Sequence, residues 1–168
     1  IYIIDDNEKD YQDISSLPKI NDLLQKKIII IIKSNNICNS TNHRQMNIYQ
    51  NFYNIFNFKW CLFIDIDEFL VLNKHKSVKE YLSQDWCNNA LSIAATWKQF
   101  GDNGHIFKEK GNVMDRFKQP SNKFITYNKN EIEHKIFLKK INETSIYMPN
   151  PHMAFFIGSI NNLKYYEN

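Results

Sequence analysis

The chain has 168 residues, a hydrophobic fraction of 43% and an aromatic fraction of 14%, which are typical of a globular domain and not of a disordered chain. Its net charge is only +3, its lysines are scattered, and its only arginines are Arg44 and Arg116. This argues against a nucleic-acid partner, because nucleic-acid surfaces cluster basic residues and favour arginine. No segment approaches the roughly 20 apolar residues of a membrane helix, so we expect no transmembrane segment.

The three cysteines, Cys38, Cys61 and Cys87, are widely spaced and form no Cys-x-x-Cys pair. This spacing disfavours a disulfide framework or a zinc site and suits a reducing compartment. We therefore expect a cytoplasmic protein, either free or peripheral at the inner face of a membrane. We also expect one domain over residues 1–168, with its front end missing because the chain opens inside a strand.

The amino-terminal half alternates between strand and helix patterns. Residues 1–4 are predicted to form a strand, and residues 10–26 a helix that Pro18 interrupts, since proline is not tolerated inside a helix. Residues 28–33 form an apolar run that predicts a second strand, buried on both faces. Residues 42–58 predict the best helix of the chain, with Asn42 as its N-cap. Its apolar face is formed by Met46, Tyr49, Phe52, Tyr53 and Phe56.

Alternation of this kind predicts an α/β fold with a central, mostly parallel sheet and helical crossovers. The pattern changes after a short predicted helix at residues 77–82. Strands are then predicted at residues 90–97, 113–117, 123–127, 135–139 and 145–148. These short strands predict a mixed or antiparallel carboxyl-terminal half.

An apolar run ends in Asp65, with Asp67 and Glu68 directly behind it. We predict a buried central strand over residues 61–66, on which Asp65 and Asp67 would point to the same face. Two like charges this close favour a bound cation, and such oxygen ligands suit Mg²⁺ or Mn²⁺ bridging to substrate phosphates. The alternative is a solvated strand end, because Asp-x-Asp triplets also arise by chance.

A cation would also explain how a diphosphate binds without a glycine-rich loop, which the four glycines of this chain do not form. A protein that binds no phosphate would lack that loop too. Among the five histidines no close metal-ligand spacing occurs. His152, after a rigid Pro-Asn-Pro segment, is the candidate to complete such a site, and His105 in the glycine-bearing loop would face an acceptor pocket.

Several motifs together resemble glycosyltransferases related to family 2 and family 92, which have the A-type (GT-A) fold. The most specific motif lies in residues 59–70 and is similar to the signature Trp-x-x-x-x-Asp-x-Asp-Glu-Phe. The other matching segments are the strand and acidic loop of residues 1–10, Gln45 with Tyr49, the Trp-x-x-Phe-Gly-x-x-Gly loop of residues 97–105, Arg116-Phe117, Lys135-Ile136-Phe137 and His152.

The resemblance implies a GT-A-like domain that lacks the first strand and helix of the family. It would move a sugar from a nucleotide sugar, a UDP-sugar, to a glycan or lipid-linked acceptor in glycan or surface polysaccharide synthesis. Asp65 and Asp67 would bind Mn²⁺ or Mg²⁺ and the donor diphosphate, with Asp67 the more direct ligand and His152 a third metal ligand. Asp5 or Asp6 would contact the nucleobase or ribose. The remaining substrate-binding residues would be Trp97, Gly101, His105 and Lys135.

Sugar transfer needs a base that deprotonates the acceptor hydroxyl. Asp102, in the glycine-bearing loop, is the candidate. Glu68 is the alternative, although its adjacency to Asp67 on a strand would point it to the opposite face. The resemblance implies an inverting hexosyltransferase. Glu8 stands where the family usually has serine or asparagine, which leaves the choice of nucleobase open.

Two other classes of protein also fit parts of the sequence. A haloacid-dehalogenase-like phosphatase places Asp-x-Asp after an apolar strand, with the first Asp as nucleophile, but usually has Thr or Val where Phe69 stands. A non-catalytic carbohydrate-binding module, or a degenerate transferase, would use its aromatic residues for sugar stacking. Phosphatase turnover identifies the first class, and metal-dependent nucleotide binding separates the transferase from the second.

Overall fold

A computed structural model describes residues 1–6, 13–102, 104–105, 107, 110–120 and 133–158. The chain divides into two compact units, Ile1–Phe56 and Asn57–Asn168. Both units mix helices with strands in their described residues, which confirms the predicted α/β class. The expectation of one domain over residues 1–168 stays a prediction.

The first unit contains a pair of parallel strands connected through a helix. Its elements are β1 (Tyr2–Asp5), a 3₁₀ turn (Ile14–Ser16), α1 (Pro18–Gln25), β2 (Ile30–Lys33), a second 3₁₀ turn (Ser34–Asn36) and α2 (Arg44–Ile55). Parallel strands need a crossover connection, and α1 lies in the connection between β1 and β2. The register of the pair sets Asp5 opposite Lys33, so two opposite charges meet at the carboxyl end of β1.

Three local expectations for this unit need correction. Pro18 begins α1 instead of interrupting a longer helix, because its missing N–H costs nothing in the first turn; residues 10–12 of the predicted helix lie outside the described residues. Ile30 on β2 is 48% exposed, so the strand is not buried on both faces. The N-cap of α2 is His43, in a left-handed conformation, and not Asn42.

The apolar face of α2 is the one its periodicity predicts. Met46, Tyr49, Phe52 and Tyr53 are all buried, and Tyr53 is fully inaccessible. Phe56 lies at the C-cap, just beyond the helix, and its ring stacks on that of Phe52 with a centroid distance of 4.4 Å. Burial of this aromatic face holds α2 within the first unit.

The second unit contains a three-stranded antiparallel sheet and an antiparallel hairpin. Its elements are β3 (Trp60–Leu62), α3 (Val78–Tyr81), α4 (Asp85–Asn89), β4 (Ser92–Thr96), α5 (Val113–Arg116), β5 (His134–Lys139), β6 (Ser145–Asn150) and β7 (Met153–Ile157). The strand order of the sheet is β3-β5-β4, and β6 pairs with β7. These antiparallel sheets confirm the expectation for the carboxyl-terminal half.

The strand before the acidic residues differs from the predicted one. It was expected over residues 61–66 at the centre of a parallel sheet, but β3 ends at Leu62 and lies at the edge of its sheet, antiparallel to β5. Among the described residues, the parallel pairing is that of β1 with β2, so a mostly parallel central sheet is not observed there. Because β3 ends early, Asp65 and the residues after it are free to form a turn.

Most of the other helices and strands predicted for the second unit are present. The helix at residues 77–82 and the strands at residues 90–97, 135–139 and 145–148 correspond to α3, β4, β5 and β6. The strand predicted at residues 113–117 is wrong: this segment is the short helix α5, whose Asp115 and Arg116 amides donate to the carbonyl of Asn112. The strand predicted at residues 123–127 lies outside the described residues, and β7 was not predicted.

The core of the second unit forms around β5, the middle strand of the sheet. Phe137 is 3% exposed and packs with Cys87 and Ile93. Partly buried apolar residues surround this centre: Trp60, Leu62, Leu70, Tyr81, Leu82, Ala90 and Ala95. Side chains alternate along a strand, so Lys135 shares the face of Phe137 and is itself buried. A lysine buried at the end of an apolar core needs a partner of opposite charge.

Candidate functional site

The residues from Asp65 to Glu68 form a turn that folds back on itself. The backbone N–H of Glu68 donates to the carbonyl oxygen of Asp65 at 3.0 Å, and the Glu68 carboxylate accepts from the N–H of Asp65 at 2.9 Å. Glu68 was expected on a strand, on the face opposite Asp67; it lies in a turn instead, where its carboxylate contacts the Asp65 amide. Asp67 and Ile66 lie at the exposed tip of this turn.

The buried ammonium group of Lys135 joins the two carboxylates at the base of the turn. Its Nζ lies 3.0 Å from Asp65 Oδ2 and 3.3 Å from Glu68 Oε2. The Lys135 side chain is only 3% exposed, whereas those of Asp65 and Glu68 are 43% and 20% exposed. The lysine therefore satisfies its charge inside the protein, and the carboxylates keep partial access to water.

Trp97 and His152 extend this group of residues. The Lys135 ammonium lies 5.7 Å from the centre of the Trp97 ring, within cation–π range. The imidazole ring of His152 packs edge-on against the same indole, and the two ring centres are 4.8 Å apart. We call Asp65, Glu68, Lys135, Trp97 and His152 the acidic-turn cluster. All five residues were singled out from the sequence, and the fold brings them into one continuous chain of contacts.

The contacts of His152 do not place it beside Asp65 and Asp67. Its Nδ1 lies 2.9 Å from the carbonyl oxygen of His134, and its Nε2 lies 3.7 Å from the Glu133 carboxylate. Glu133 was not identified from the sequence; its side chain is 9% exposed, and its own carbonyl accepts from the N–H of Trp97. These contacts orient His152 toward β5 and Trp97.

The glycine-bearing loop has separate, local contacts. Asp102 is exposed, its carboxylate accepts from the N–H of Gly104 at 3.1 Å, and its carbonyl accepts from the N–H of His105. His105 Nε2 lies 3.2 Å from the carbonyl oxygen of Arg116. The contacts given by the structure for Asp102 are thus with its own loop, and they do not join it to the acidic-turn cluster.

The two described glycines of this loop should respond differently to alanine. Gly104 has a φ of +78°, in the left-handed region, so Gly104→Ala should destabilise the protein by about 1–2 kcal/mol. Gly101 has no atom within 4 Å of an added Cβ and needs no special φ, so Gly101→Ala should change stability by less than about 0.5 kcal/mol. Urea unfolding measures both, and equal losses would contradict this reading.

The two acidic residues at the end of β1 have different surroundings. Asp5 is 5% exposed and forms an ion pair with Lys33, its register partner on β2. Asp6 is about half exposed and accepts hydrogen bonds from Ser34 and from Arg44. Of the two predicted nucleoside contacts, Asp6 is therefore the one that a ligand can reach in the first unit.

Arg44 is a residue that the sequence reasoning did not single out for a role. Its guanidinium donates to Asp6 and also to four oxygens of the segment before α2: Ser34 Oγ, Asn35 Oδ1 and the carbonyls of Cys38 and Ser40. One side chain thereby links the end of β1 to the start of α2. The sequence did contain a signal for such a role, because arginine is rare in this chain and occurs only twice.

These contacts predict a pH dependence for the first unit. Partial burial raises the pKa of Asp6, but hydrogen bonds from Ser34 and Arg44 and the Arg44 charge outweigh it and hold the pKa below its usual value. The ionised carboxylate therefore stabilises the folded state above the ordinary aspartate pKa of about 3.9, and this contribution is lost as pH falls through the lower folded pKa.

Asp6→Asn should accordingly lower the free energy of unfolding near neutral pH and flatten its decline in acid. Asp22→Asn is the control, because the ion pair of Asp22 is with exposed Lys26 one helical turn away and should contribute little. Urea unfolding followed by far-UV circular dichroism, repeated from neutral pH into acid, measures this. An acid slope for Asp6→Asn equal to that of the unaltered protein would contradict the assignment.

The carboxylate oxygens of the turn are possible ligands for a divalent cation. Asp65, Asp67 and Glu68 offer carboxylate oxygens, which suit Mn²⁺ or Mg²⁺. Within the described residues, no three His, Cys, Asp or Glu side chains converge as a set that could hold a metal. Such ions are commonly held by one or two carboxylates together with substrate phosphates. The turn therefore fits a cation shared with a phosphate ligand, and does not fit a metal cage made by the protein alone.

The chain matches a known protein family. The profile of glycosyltransferase family 92 matches residues 9–167 of the chain. No curated protein and no solved structure gives a significant match. The matched region contains the acidic-turn cluster and the glycine-bearing loop, whereas Asp5 and Asp6 lie before it. In the part of the chain that the structure describes, no helix has both the length and the hydropathy to cross a membrane.

Proposed function

This chain belongs to glycosyltransferase family 92, and from that premise we propose that it transfers a hexose from a UDP-sugar to an acceptor hydroxyl of a glycan or lipid-linked glycan. The acidic-turn cluster is the observation that carries the proposal. It gathers, inside the matched region, carboxylates, a buried cation and an aromatic surface, which suit a diphosphate and a sugar ring. Glycan or surface polysaccharide synthesis is the process we propose for it.

Asp67 and three residues of the acidic-turn cluster receive distinct roles. Asp67, at the exposed tip of the turn, and Asp65 would hold Mn²⁺ or Mg²⁺ together with the donor diphosphate. When bound, the cation would supply positive charge that stabilises the departing UDP. Trp97 would present its indole to a sugar ring. We assign His152 to holding Trp97, because its ring contacts that indole and its Nδ1 faces a backbone carbonyl.

The glycine-bearing loop is proposed to bind the acceptor. Asp102 is the better candidate for the base, because its carboxylate is exposed while that of Glu68 is engaged by the Asp65 amide and Lys135. A carboxylate base that removes the acceptor proton suits a single inverting displacement. Gly101 and His105 would shape this pocket. Asp102→Asn should lower the turnover number while leaving UDP affinity unchanged, and a change in affinity alone would remove this assignment.

In the first unit, we propose that Asp6 binds the ribose or nucleobase of the donor. Support comes from its exposure and from Arg44, which fixes the carboxylate in place. Asp5 is assigned to structure, because its buried side chain pairs with Lys33. We also propose a GT-A-like fold for the protein, and a cytoplasmic or peripheral inner-membrane location. The three free cysteines support a reducing compartment.

Calorimetric titration of UDP, with Mn²⁺ and with a chelator, tests the proposal. Binding should require the metal, and a panel of UDP-sugars should then release UDP in the presence of an acceptor. Metal-dependent UDP binding without turnover of any donor would favour a degenerate transferase. Absence of UDP binding would overturn the donor assignment. The phosphatase alternative predicts phosphate release from a phosphate monoester, and membership of a glycosyltransferase family argues against it.

A further inference from the structure

Lys135 occupies the place where a cation would be expected in the acidic-turn cluster. Its ammonium lies 3.0 Å from Asp65 and 3.3 Å from Glu68, with Trp97 on a further side. At these distances, a single positive charge is shared by two carboxylates. The turn thus contains an internal cation at its base.

We infer that Lys135 makes cation binding at this turn depend on the donor diphosphate. The inference rests on the proposed function and concerns the regulation of the same site. Lys135 already balances part of the charge of Asp65 and Glu68, and Asp67 is the most exposed carboxylate of the turn. One carboxylate is a poor site for Mn²⁺ or Mg²⁺, since these ions need several oxygen ligands. The diphosphate brings the missing oxygens and additional negative charge.

Burial explains why Lys135 does not simply move away. An ammonium group that is 3% exposed loses its hydration, and leaving its carboxylate partners would place an unpaired charge in the interior. A divalent cation that approached Asp65 in the absence of phosphate would be repelled by this fixed charge, twice as strongly as a monovalent one. Lys135 is therefore a positioning residue that holds Asp65 and Glu68 and disfavours metal binding before the donor arrives.

Removal of the Lys135 charge should strengthen metal binding, an effect that a purely structural lysine would not produce. Lys135→Met keeps most of the buried length of the side chain and removes the positive charge that two partly exposed carboxylates share. We expect the affinity for Mn²⁺ without nucleotide to rise at least about tenfold. Because linkage is reciprocal, the factor by which UDP and Mn²⁺ strengthen each other's binding should fall correspondingly.

Lys139→Met is the matched control. Lys139 lies on the same strand and the same face, roughly 13 Å along β5 from Lys135. Its ammonium also lies 5.7 Å from a tryptophan ring, that of Trp60, but it donates to the carbonyl of Asn88. The two substitutions change the net charge equally, so a general electrostatic effect would raise Mn²⁺ affinity in both.

The experiment measures free Mn²⁺ by electron paramagnetic resonance, with and without UDP, for the unaltered protein and for Lys135→Met, Lys135→Gln and Lys139→Met. Circular dichroism verifies the fold of each variant, and Lys135→Gln serves if Lys135→Met does not fold. The unaltered protein should bind Mn²⁺ weakly alone and at least about tenfold more tightly with UDP. The comparison of Mn²⁺ affinity with and without UDP uses the unaltered protein alone and does not depend on any variant folding.

Equal Mn²⁺ affinity of the unaltered protein with and without UDP would mean, because linkage is reciprocal, that UDP binding does not depend on the metal, and it would overturn the proposed metal-dependent function together with the inference. An unchanged Mn²⁺ affinity in folded Lys135 variants would overturn the inference alone. A gain in Lys139→Met as large as that in Lys135→Met would also overturn it. If the unaltered protein binds no Mn²⁺ even with UDP, the proposed metal-dependent function fails, and this inference fails with it.

Discussion

Replacing Asp67 by asparagine is expected to weaken the binding of UDP in the presence of Mn²⁺ about a hundredfold, a loss of about 2–3 kcal/mol. Asp67 is exposed at the tip of the turn, whereas Asp65 and Glu68 are engaged by Lys135. It is therefore the carboxylate best placed to share a cation with phosphate oxygens. Asparagine keeps the size and one oxygen but removes the charge. Calorimetric titration at a constant Mn²⁺ concentration measures the effect.

Asp115→Asn provides a control with the same charge change in the same unit. Asp115 is exposed on α5, and its carboxylate accepts from the Asn112 side chain at 3.2 Å. UDP affinity should be unaltered in this variant. Equal weakening in both variants would show that net charge alone matters, and an unaltered affinity in Asp67→Asn would remove Asp67 from the proposed site.

Phe137→Ala is expected to destabilise the second unit by about 3–5 kcal/mol, the usual cost of removing a buried aromatic side chain. Phe137 is 3% exposed on the middle strand of the sheet. It packs with Cys87 and Ile93, and its ring centre lies 6.1 Å from that of Tyr81. Alanine would leave a cavity that a close-packed interior fills only in part. Urea unfolding followed by tryptophan fluorescence reports on this unit, because all three tryptophans belong to it.

Phe155→Ala changes the same residue type at an exposed position of the same unit. Phe155 is 52% exposed on β7, with Tyr147 on the neighbouring strand. Its loss should cost less than about 1 kcal/mol. If both variants lost the same stability, the β5 core would not be the centre that stabilises the second unit.

Predictions from local periodicity agree with the structure where an element depends on residues near each other in the chain. The aromatic face of α2 follows a spacing of three and four residues, and Met46 and Phe52 are buried as that spacing requires. β4 and β5 were likewise predicted from short apolar runs. The segment that became α5 failed because its apolar residues also suit one helical turn, and the hydrogen bonds to Asn112 decide in favour of the helix.

The family could be identified from the sequence because its motifs are themselves short. Trp60, Asp65 and Asp67 have the required spacing within a few residues, and the match to family 92 over residues 9–167 agrees with the resemblance. The roles of individual residues in that family resemblance stay predictions. The variants Asp67→Asn and Asp102→Asn test two of these roles.

The sequence by itself determined the α/β class, the aromatic face of α2, several strands and the family, since each depends on residue types at short spacing. Only the tertiary structure decided which charges meet: Lys135 lies 70 residues from Asp65, and Arg44 lies 38 residues from Asp6. The physical reason is desolvation. A lysine buried by the packing of β5 must find carboxylates within reach, and the early end of β3 and the turn after it determine that these are Asp65 and Glu68.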